Sequence, residues 1–247
     1  MIHIIVVHFK TSEWIDLQLK QIKKHFSNYK IWTYCDGFNI LPHQNKFHFC
    51  QNSITESNKQ GYIDHMLKLN SLTDIVLKDL DTNNNDLLIW LDSDAFPINN
   101  ANDYISKKML KYPFIAVNRP ENDGDVIPHP SFTCTSVSFW KKYKLTWDGI
   151  PGESGGLNKK GLHDPGGKLY QDLLENDIEW YRMRRTKSLT KHEVFFTIYD
   201  DFIYHHGAGS RGPRNKIAGC RGGNFGVLYN KSEILKVILE KINTKKW

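Results

Sequence analysis

Two carboxylates, Asp92 and Asp94, stand one residue apart directly after an apolar run from Leu87 to Leu91. An unbroken apolar run in a mixed chain is typical of a central strand buried on both faces. Residues at i and i+2 of extended backbone point to the same side, and open α/β sheets bind ligands at the carboxyl ends of their strands. The pair is therefore predicted to hold one divalent cation, which would bridge phosphates. A polar turn at the strand end is the alternative.

A second group of candidate ligands, His205 and His206, follows a short apolar stretch at 202–204 and precedes the glycine-rich segment Gly207-Ala-Gly-Ser-Arg211. Glycines let backbone amides approach an anion, and Arg211 can reach phosphate oxygens. Adjacent residues on a strand point to opposite faces, so only one of the two histidines is expected to face a metal. A histidine that is simply a satisfied polar group at a strand end is the alternative.

The N-terminal half carries the pattern of a sheet that could position these groups. Strands are predicted at 2–8, 30–35, 46–50 and 87–91, with one helix to about Ser27 and a second from Ser57 or Asn58 to Leu80. This β-α-β-β-α-β order is typical of a nucleotide-binding half. Gly-x-Gly-x-x-Gly and Walker patterns are absent from it, which argues against a dinucleotide dehydrogenase or a P-loop NTPase.

The C-terminal half is predicted to be less regular. The expected elements are a helix at 102–110, strands at 114–118 and 133–139, a charged loop at 119–125 and a final helix at 232–242. Glycine is enriched over 148–168, which predicts a substrate loop. A helix is expected to follow, with Asp164 as its cap and Pro165 in its first turn.

Length and composition restrict the class of protein. The chain has 247 residues, 40% hydrophobic residues and a net charge of +6, which suits one large α/β domain with acidic partners. It contains no apolar run near the ~18 residues that cross a bilayer, and the apolar N-terminal stretch lacks a basic flank. A soluble, cytoplasmic protein is expected. The four cysteines are far apart and predict neither a zinc site nor a disulfide framework.

Two segments resemble motifs of the GT-A glycosyltransferases, which use nucleotide sugars. The run from Ile89 to Asp94 resembles their Asp-x-Asp motif, and the segment from His205 to Arg211 resembles their C-terminal metal-and-diphosphate segment, with Ser-Arg near the place of a lysine in the best-known version. The resemblance implies an α/β, GT-A-like fold: a single Rossmann-like nucleotide-binding domain over 1–247, its mixed central sheet flanked by helices. Residues 1–97 would form the nucleotide-binding half and 98–247 the donor-sugar and acceptor half.

The same resemblance implies roles for individual residues. Mn²⁺ or Mg²⁺ would be held by Asp92, Asp94 and one of His205 or His206, while Asp36 would contact the nucleoside and Arg211 the diphosphate of the donor. Asp164 would be a catalytic or sugar-binding residue. Trp147 is a candidate for stacking on a sugar face, and burial in the core is its alternative.

The activity implied is that of a metal-dependent hexosyltransferase or related enzyme. It would transfer a sugar from a nucleotide diphosphate sugar to a hydroxyl of a glycan, a lipid-linked or another acceptor, with no nucleic acid partner. Basic residues, such as those in Arg182-Met-Arg-Arg-Thr-Lys, would allow peripheral membrane contact. A metal-dependent phosphotransferase or nuclease, which predicts a second carboxylate cluster, is one alternative. A non-catalytic carbohydrate- or nucleic-acid-binding module is the other.

Overall fold

The computed structural model describes residues 1–53, 61–122, 124–151, 162–188, 196–207, 240, 241 and 244. The chain divides into two compact units, Met1–Ser210 and Arg211–Trp247. In the second unit, the Thr244 hydroxyl donates to the carbonyl oxygen of Glu240 at 2.8 Å, as in one turn of helix. The predicted helix over 232–242 falls almost wholly outside the described residues. The predicted cap at Ser57 or Asn58 also lies outside them.

Strands and helices alternate through the first unit. In chain order the described strands are β1 (Ile2–Phe9), β2 (Tyr29–Asp36), β3 (Phe49–Ser53), β4 (Leu87–Asp92), β5 (Ala95–Pro97), β6 (Phe114–Val117), β7 (His129–Ser136), β8 (Tyr181–Met183), β9 (Arg185–Ser188), β10 (Thr197–Tyr199) and β11 (Ile203–His205). The described α-helices are α1 (Ile15–His25), α2 (Gly61–Lys78), α3 (Ala101–Met109), α4 (Val137–Tyr143) and α5 (Gly167–Glu175). A 3₁₀ helix spans Leu41–Lys46.

Seven strands form a mixed central sheet in the order β3-β2-β1-β4-β7-β6-β8. The strands β3, β2, β1 and β4 are parallel, β7 runs antiparallel to β4 and β6, and β8 is parallel to β6. One face packs on a cluster that includes residues of α1 and α3, and the other on a cluster with residues of α2, α4 and α5. The predicted α/β fold, a mixed sheet flanked by helices, is confirmed.

The apolar run before Asp92 forms the strand that the sequence predicts. Ile89 and Leu91 contribute to one core cluster, and Leu88 and Trp90 contribute to the other, each side chain at most 1% exposed. The alternation of a strand thus fills both faces of the sheet with one segment. Because β4 runs parallel to β1, β2 and β3, its carboxyl end lies at the same edge of the sheet as theirs, and Asp92 is its last residue.

A second, four-stranded sheet has the order β5-β11-β10-β9. β5 begins three residues after the end of β4 and pairs antiparallel with β11, with Ala95 opposite His205 and Pro97 opposite Ile203. Two segments that are far apart in the sequence are joined here by backbone hydrogen bonds. The histidine segment is thereby held against the end of the central strand.

Three predicted boundaries are wrong. The strand expected at 46–50 is found at Phe49–Ser53, after a 3₁₀ helix that ends at Lys46. The strand expected over 133–139 ends at Ser136, whose hydroxyl accepts from the Phe139 N–H at 3.1 Å and caps α4. The helix expected to begin at Asp164 begins at Gly167 instead. Its N-cap, Gly166, has φ 105°, and a Cβ there would lie 2.3 Å from the carbonyl oxygen of Pro128.

Asp164 is therefore not the cap of α5, and Pro165 is not in its first turn. The first N–H groups of the helix are satisfied by backbone oxygens instead: Gly167 donates to the carbonyl of Asp164 at 3.0 Å, and Lys168 to that of Asp148 at 2.8 Å. A side-chain cap is not needed when the preceding loop supplies these acceptors. Within the described ranges, no helix combines the length and apolar character of a membrane span.

Candidate metal centre

Asp92, Asp94 and His205 form a group of three side chains whose ligand atoms all lie within 4.8 Å of one another. The Nε2 atom of His205 is 3.5 Å from Asp92 Oδ2 and 3.5 Å from Asp94 Oδ1. These separations are long for direct hydrogen bonds. Two atoms that bind one divalent ion at about 2.1 Å lie roughly 3 to 3.5 Å apart. The geometry therefore suits three ligands of a shared cation.

Backbone and side-chain hydrogen bonds fix the turn that carries the two carboxylates. The amide of Gln18, on α1, donates to the carbonyl oxygens of Asp92 and Ala95, both at 2.8 Å. Gln18 is 1% exposed, so this clamp is part of the core. Because Ala95 pairs with His205, the same turn also sets the position of the histidine. Three candidate ligands from two segments of the chain are thus positioned by α1, by the turn after β4 and by the pairing of β5 with β11.

His206 lies on the other side of its strand, away from the metal group. Its ring centroid is 4.4 Å from that of Trp14 and 4.6 Å from that of Phe196, and its Nδ1 is 2.9 Å from the Tyr204 hydroxyl. The structure thus separates the two histidines, as alternation along a strand requires. His205 lies with the carboxylates, whereas His206 packs among aromatic side chains, so His205 is the histidine of the pair that stays a candidate ligand.

The electrostatics of Asp92 favour a positive charge beside it. Burial raises the pKa of the Asp92 carboxyl, and the neighbouring His205 and His65 act against that rise. A bound dication would favour the ionised carboxylate and offset the cost of burying it. Two carboxylates and one imidazole make a donor set that suits Mn²⁺ and, through its oxygens, Mg²⁺. The residues present therefore fit the cation that the sequence predicts.

Two further histidines border Asp92 and were not identified from the sequence. His65 Nε2, on α2, lies 3.9 Å from Asp92 Oδ1, and His129 Nδ1, on β7, lies 3.7 Å from Asp92 Oδ2. Burial lowers the pKa of both imidazoles. The Ser131 N–H donates to His129 Nδ1 at 3.1 Å, so the proton of the neutral His129 ring is on Nε2. The strand predicted from the sequence begins only at residue 133, so His129 is not on a predicted element and the sequence gives no reason to place it near Asp92.

Asp36 lies at the end of β2, on the same edge of the sheet as Asp92. It is 1% exposed and hydrogen-bonds to Lys68, which also bonds to Asp64 one helical turn away. Burial opposes the charge of Lys68, but the bonds to the two carboxylates outweigh it and raise the pKa of the amine. The Oδ1 atom of Asp36 is buried and has no hydrogen-bond partner among the described residues. A nucleoside contact for Asp36 remains a prediction.

Trp147 is in the hydrophobic core. Its side chain is fully buried, with ring centroids 5.4 Å from Trp90 and 6.4 Å from Trp140. An indole with no exposed surface has no face for a sugar, so the stacking role is replaced by the packing role. Alternation along β4 points Trp90 to this face of the sheet, where it packs against Trp147 in the same core cluster.

Asp164 lies in the loop before α5 with its side chain 45% exposed. The His163 Nε2 atom is 3.5 Å from Asp164 Oδ1, and the His163 ring meets the Tyr62 ring edge-on at 5.8 Å. Tyr62 is on the first turn of α2, the helix that also carries His65. The carboxylate is therefore accessible and near the helix that borders the metal group. Arg211, predicted at the diphosphate, lies outside the described residues.

Comparisons with known proteins give likenesses in structure only, since no protein-family model and no curated protein matches the sequence. The solved structures with similar folds include TarS of S. aureus (TM-score 0.43, 12% identity), the mannosyltransferase PcManGT of Pyrobaculum calidifontis in complex with GDP-Man and Mn²⁺ (0.45, 11%) and the glycosyltransferase GlyE of Streptococcus pneumoniae TIGR4 (0.43, 11%). The chain is similar to glycosyltransferases of known structure. The matches cover 69%, 73% and 74% of this chain but only 33%, 54% and 45% of theirs.

Proposed function

We propose that the protein is a metal-dependent glycosyltransferase that moves a hexosyl or related group from a nucleotide diphosphate sugar to a hydroxyl. The observation that carries the proposal is the convergence of Asp92, Asp94 and His205 at the carboxyl edge of the sheet. Asp36 ends a strand at the same edge, two places along the sheet order. This edge is where open α/β sheets bind nucleotides.

The roles of the residues follow from their positions. Asp92, Asp94 and His205 would hold Mn²⁺ or Mg²⁺, with Gln18 fixing the turn between them. A divalent ion held there would supply positive charge to stabilise the leaving diphosphate. Asp36 would accept a hydrogen bond from the base or ribose through its buried Oδ1. Arg211, outside the described residues, stays a proposed partner of the diphosphate.

Asp164 is the proposed residue for acceptor activation. In this arrangement its exposed carboxylate would take the proton of the incoming hydroxyl or stabilise positive charge at the anomeric carbon. The acceptor would be a glycan or a lipid-linked sugar. Peripheral membrane contact through basic residues such as Arg182 and a cytoplasmic location remain predictions.

The two alternatives differ in what they require. A phosphotransferase or nuclease with paired metals needs a second carboxylate cluster. In the part of the chain that the structure describes, Asp92, Asp94 and His205 form the one group of three or more metal-ligating side chains. A non-catalytic binding module would bind sugar without metal-dependent turnover, and the experiment that tests the proposal separates it.

The test is a screen of UDP- and GDP-linked sugars for Mn²⁺-dependent release of the nucleoside diphosphate. We expect at least one donor to be hydrolysed slowly with Mn²⁺ and not with EDTA. Asp94→Asn should abolish this activity, and Asp177→Asn, a matched change at an exposed residue, should preserve it. Hydrolysis of phosphodiesters but of no nucleotide sugar would instead favour the nuclease alternative. Binding of a sugar or a nucleic acid without any turnover would favour the non-catalytic binding module.

A further inference from the structure

Arg119 lies at the edge of the sheet that carries the metal group, just after a strand that does not supply a metal ligand. It follows β6 by two residues, and the last residue of that strand, Val117, pairs with His129 on β7. His129 Nδ1 is in turn 3.7 Å from Asp92 Oδ2. Arg119 thus stands beside the histidine that borders the metal group.

The guanidinium of Arg119 is nearly buried, and one of its N–H donors has no hydrogen-bond partner among the described residues. Its side chain is 12% exposed, and its Nη2 donates to Asp125 Oδ2 at 3.3 Å. Its Nε is buried and has no hydrogen-bond partner in the part of the chain that the structure describes. A guanidinium has five N–H donors, and buried donors are nearly always paired. A ligand with acceptor oxygens would satisfy the donors that the protein leaves unused.

The loop that carries Arg119 is built to hold it in place. Asp125 is 3% exposed, and its Oδ1 accepts from the Ile127 N–H at 3.1 Å. The amide of Asn118 donates to the carbonyl oxygens of Asp125 at 3.2 Å and Ile127 at 3.4 Å. The carboxylate that orients the guanidinium is therefore itself fixed, which lowers the ordering cost of binding an anion.

The order of the strands indicates which part of a nucleotide-sugar donor would lie near Arg119. Along the sheet, β2 with Asp36 comes first, then β1, β4 with Asp92, β7 with His129, and β6. If the nucleoside lies at Asp36 and the diphosphate at the metal, as in the proposed function, the transferred sugar and its acceptor extend toward β7 and β6. Arg119 is then on the sugar side of the metal, beyond the diphosphate.

We propose that Arg119 forms a subsite for a sugar carboxylate, so that the substrate includes a hexuronic acid. This inference rests on the proposed function. The planar fork of a guanidinium matches a carboxylate with two parallel hydrogen bonds, and these charge-assisted bonds are stronger than those that the hydroxyls of a neutral hexose can accept. The carboxylate comes from one of two sources, the donor sugar or the acceptor sugar, which the experiment distinguishes.

The experiment is calorimetry with Mn²⁺ and pairs of ligands that differ in a carboxylate. The donor pairs are UDP-glucuronic acid with UDP-glucose and GDP-mannuronic acid with GDP-mannose. The acceptor pair is 4-nitrophenyl β-glucuronide with the glucoside, added to the protein with Mn²⁺ and UDP or GDP, whichever it binds. We expect the carboxylate ligand of one pair to bind about tenfold to a hundredfold more tightly, as charge-assisted hydrogen bonds imply.

Arg119→Gln should remove this preference while leaving the affinity for the bare nucleoside diphosphate within about twofold. Arg182→Gln, the same change at an exposed arginine, should keep the preference. If Arg119→Gln does not fold, Arg119→Lys serves instead, and the preference should fall at least about fivefold because an ammonium lacks the fork.

Several results would overturn the inference and leave the proposed function standing. They are equal binding within every pair, an unchanged preference in the Arg119 variants, or an equal loss for bare UDP or GDP, which would put Arg119 on the diphosphate. A protein that binds neither UDP nor GDP with Mn²⁺ would overturn the proposed function itself, and the subsite with it.

Discussion

The backbone N–H of His206 donates to the carbonyl oxygen of Asp94 across 3.1 Å. This bond extends the ladder in which Ala95 faces His205, so the second carboxylate and the histidine are held by backbone geometry. The ligands should therefore keep their places when one side chain is altered. Side-chain substitutions in the metal group can then test function separately from folding.

Asp94→Asn should weaken Mn²⁺-dependent binding of UDP or GDP by on the order of a hundredfold or more, since loss of a residue that only orients a metal ligand already costs about 10- to 100-fold. Asparagine has the same shape but cannot supply the charge that a divalent ion needs. Calorimetry with Mn²⁺ and with EDTA measures the effect, with Asp177→Asn as control. Unchanged affinity would remove the metal assignment, and a protein that unfolds would make Asp94 a structural residue of the strand end.

His205→Ala and His206→Ala should have opposite consequences. Loss of His205 removes a ligand and should abolish both metal-dependent nucleotide binding and transfer, in addition to the cost in stability that its burial implies. His206 is 5% exposed and packs on Trp14, so its loss should cost about 2–4 kcal/mol of unfolding free energy and spare metal-dependent binding in the folded fraction. Urea unfolding and calorimetry on both variants decide. Equal, mild effects on stability and activity would contradict the division between ligand and core residue.

The sequence allowed the main parts of this site to be predicted because each has a local signal. The apolar run before Asp92 has the pattern of a buried strand, and strand alternation implies that His205 and His206 diverge. His65, His129 and Arg119 carried no such signal. His65 and His129 approach Asp92 through the packing of α2 and the pairing of β4 with β7.

The wrong expectations have physical causes of a similar kind. Asp164 before Pro165 has the pattern of a helix start, but the left-handed Gly166 moves the start to Gly167. For Trp147 the sequence allows both stacking on a sugar and burial in the core. The core residue that it packs against, Trp90, is distant in the sequence. Propensity identified the elements, whereas tertiary contacts set their ends.

Lys68→Met should destabilise the protein by about 3–5 kcal/mol, because it leaves the buried carboxylate of Asp36 without its cation. The double variant Asp36→Asn with Lys68→Met should recover part of that loss, since the buried charge of Asp36 is removed and only Asp64 is left without its partner. Urea unfolding of the two single variants and the double variant forms the cycle. Strictly additive losses would show that the two residues are not energetically coupled.

His8 should make the protein sensitive to acid. Burial lowers its pKa to about 3, so the folded state keeps the ring neutral while the unfolded chain binds a proton below its ordinary pKa of 6.5. Stability is therefore fully present above pH 6.5 and is lost as the pH falls from there toward 3. Between pH 8 and pH 5 the loss from this residue should be about 2 kcal/mol.

The matching experiment on His8 compares urea unfolding of the wild type and of His8→Met at both pH values. The variant should lose about 2 kcal/mol less than the wild type on acidification, because methionine fills the buried site without a titrating group. His48→Met, at an exposed histidine, should behave as the wild type does. An equal pH dependence in all three proteins would show that His8 is not buried as a neutral ring.

Asp164→Asn separates a catalytic carboxylate from a structural one more cleanly than the sequence alone suggested. The helix α5 begins at Gly167, and its first N–H groups donate to backbone carbonyls. The Asp164 side chain therefore does not support the helix. Its replacement by asparagine should leave the melting temperature unchanged. Its carboxylate is 45% exposed and 3.5 Å from His163 Nε2, a pair too exposed to add much stability.

If Asp164 is the base for the incoming hydroxyl, or stabilises positive charge at the anomeric carbon, its charge is needed only during transfer. The turnover of Asp164→Asn should then fall by on the order of a hundredfold or more, while Mn²⁺-dependent nucleotide binding is retained. Steady-state transfer rates and calorimetry on the same preparation test this, with Asp177→Asn as the matched control. Near-native turnover would exclude Asp164 and move the search to Asp200, Asp201 or Glu153, the last of which lies outside the described residues. Loss of nucleotide binding together with turnover would place the carboxylate at the donor instead of the acceptor.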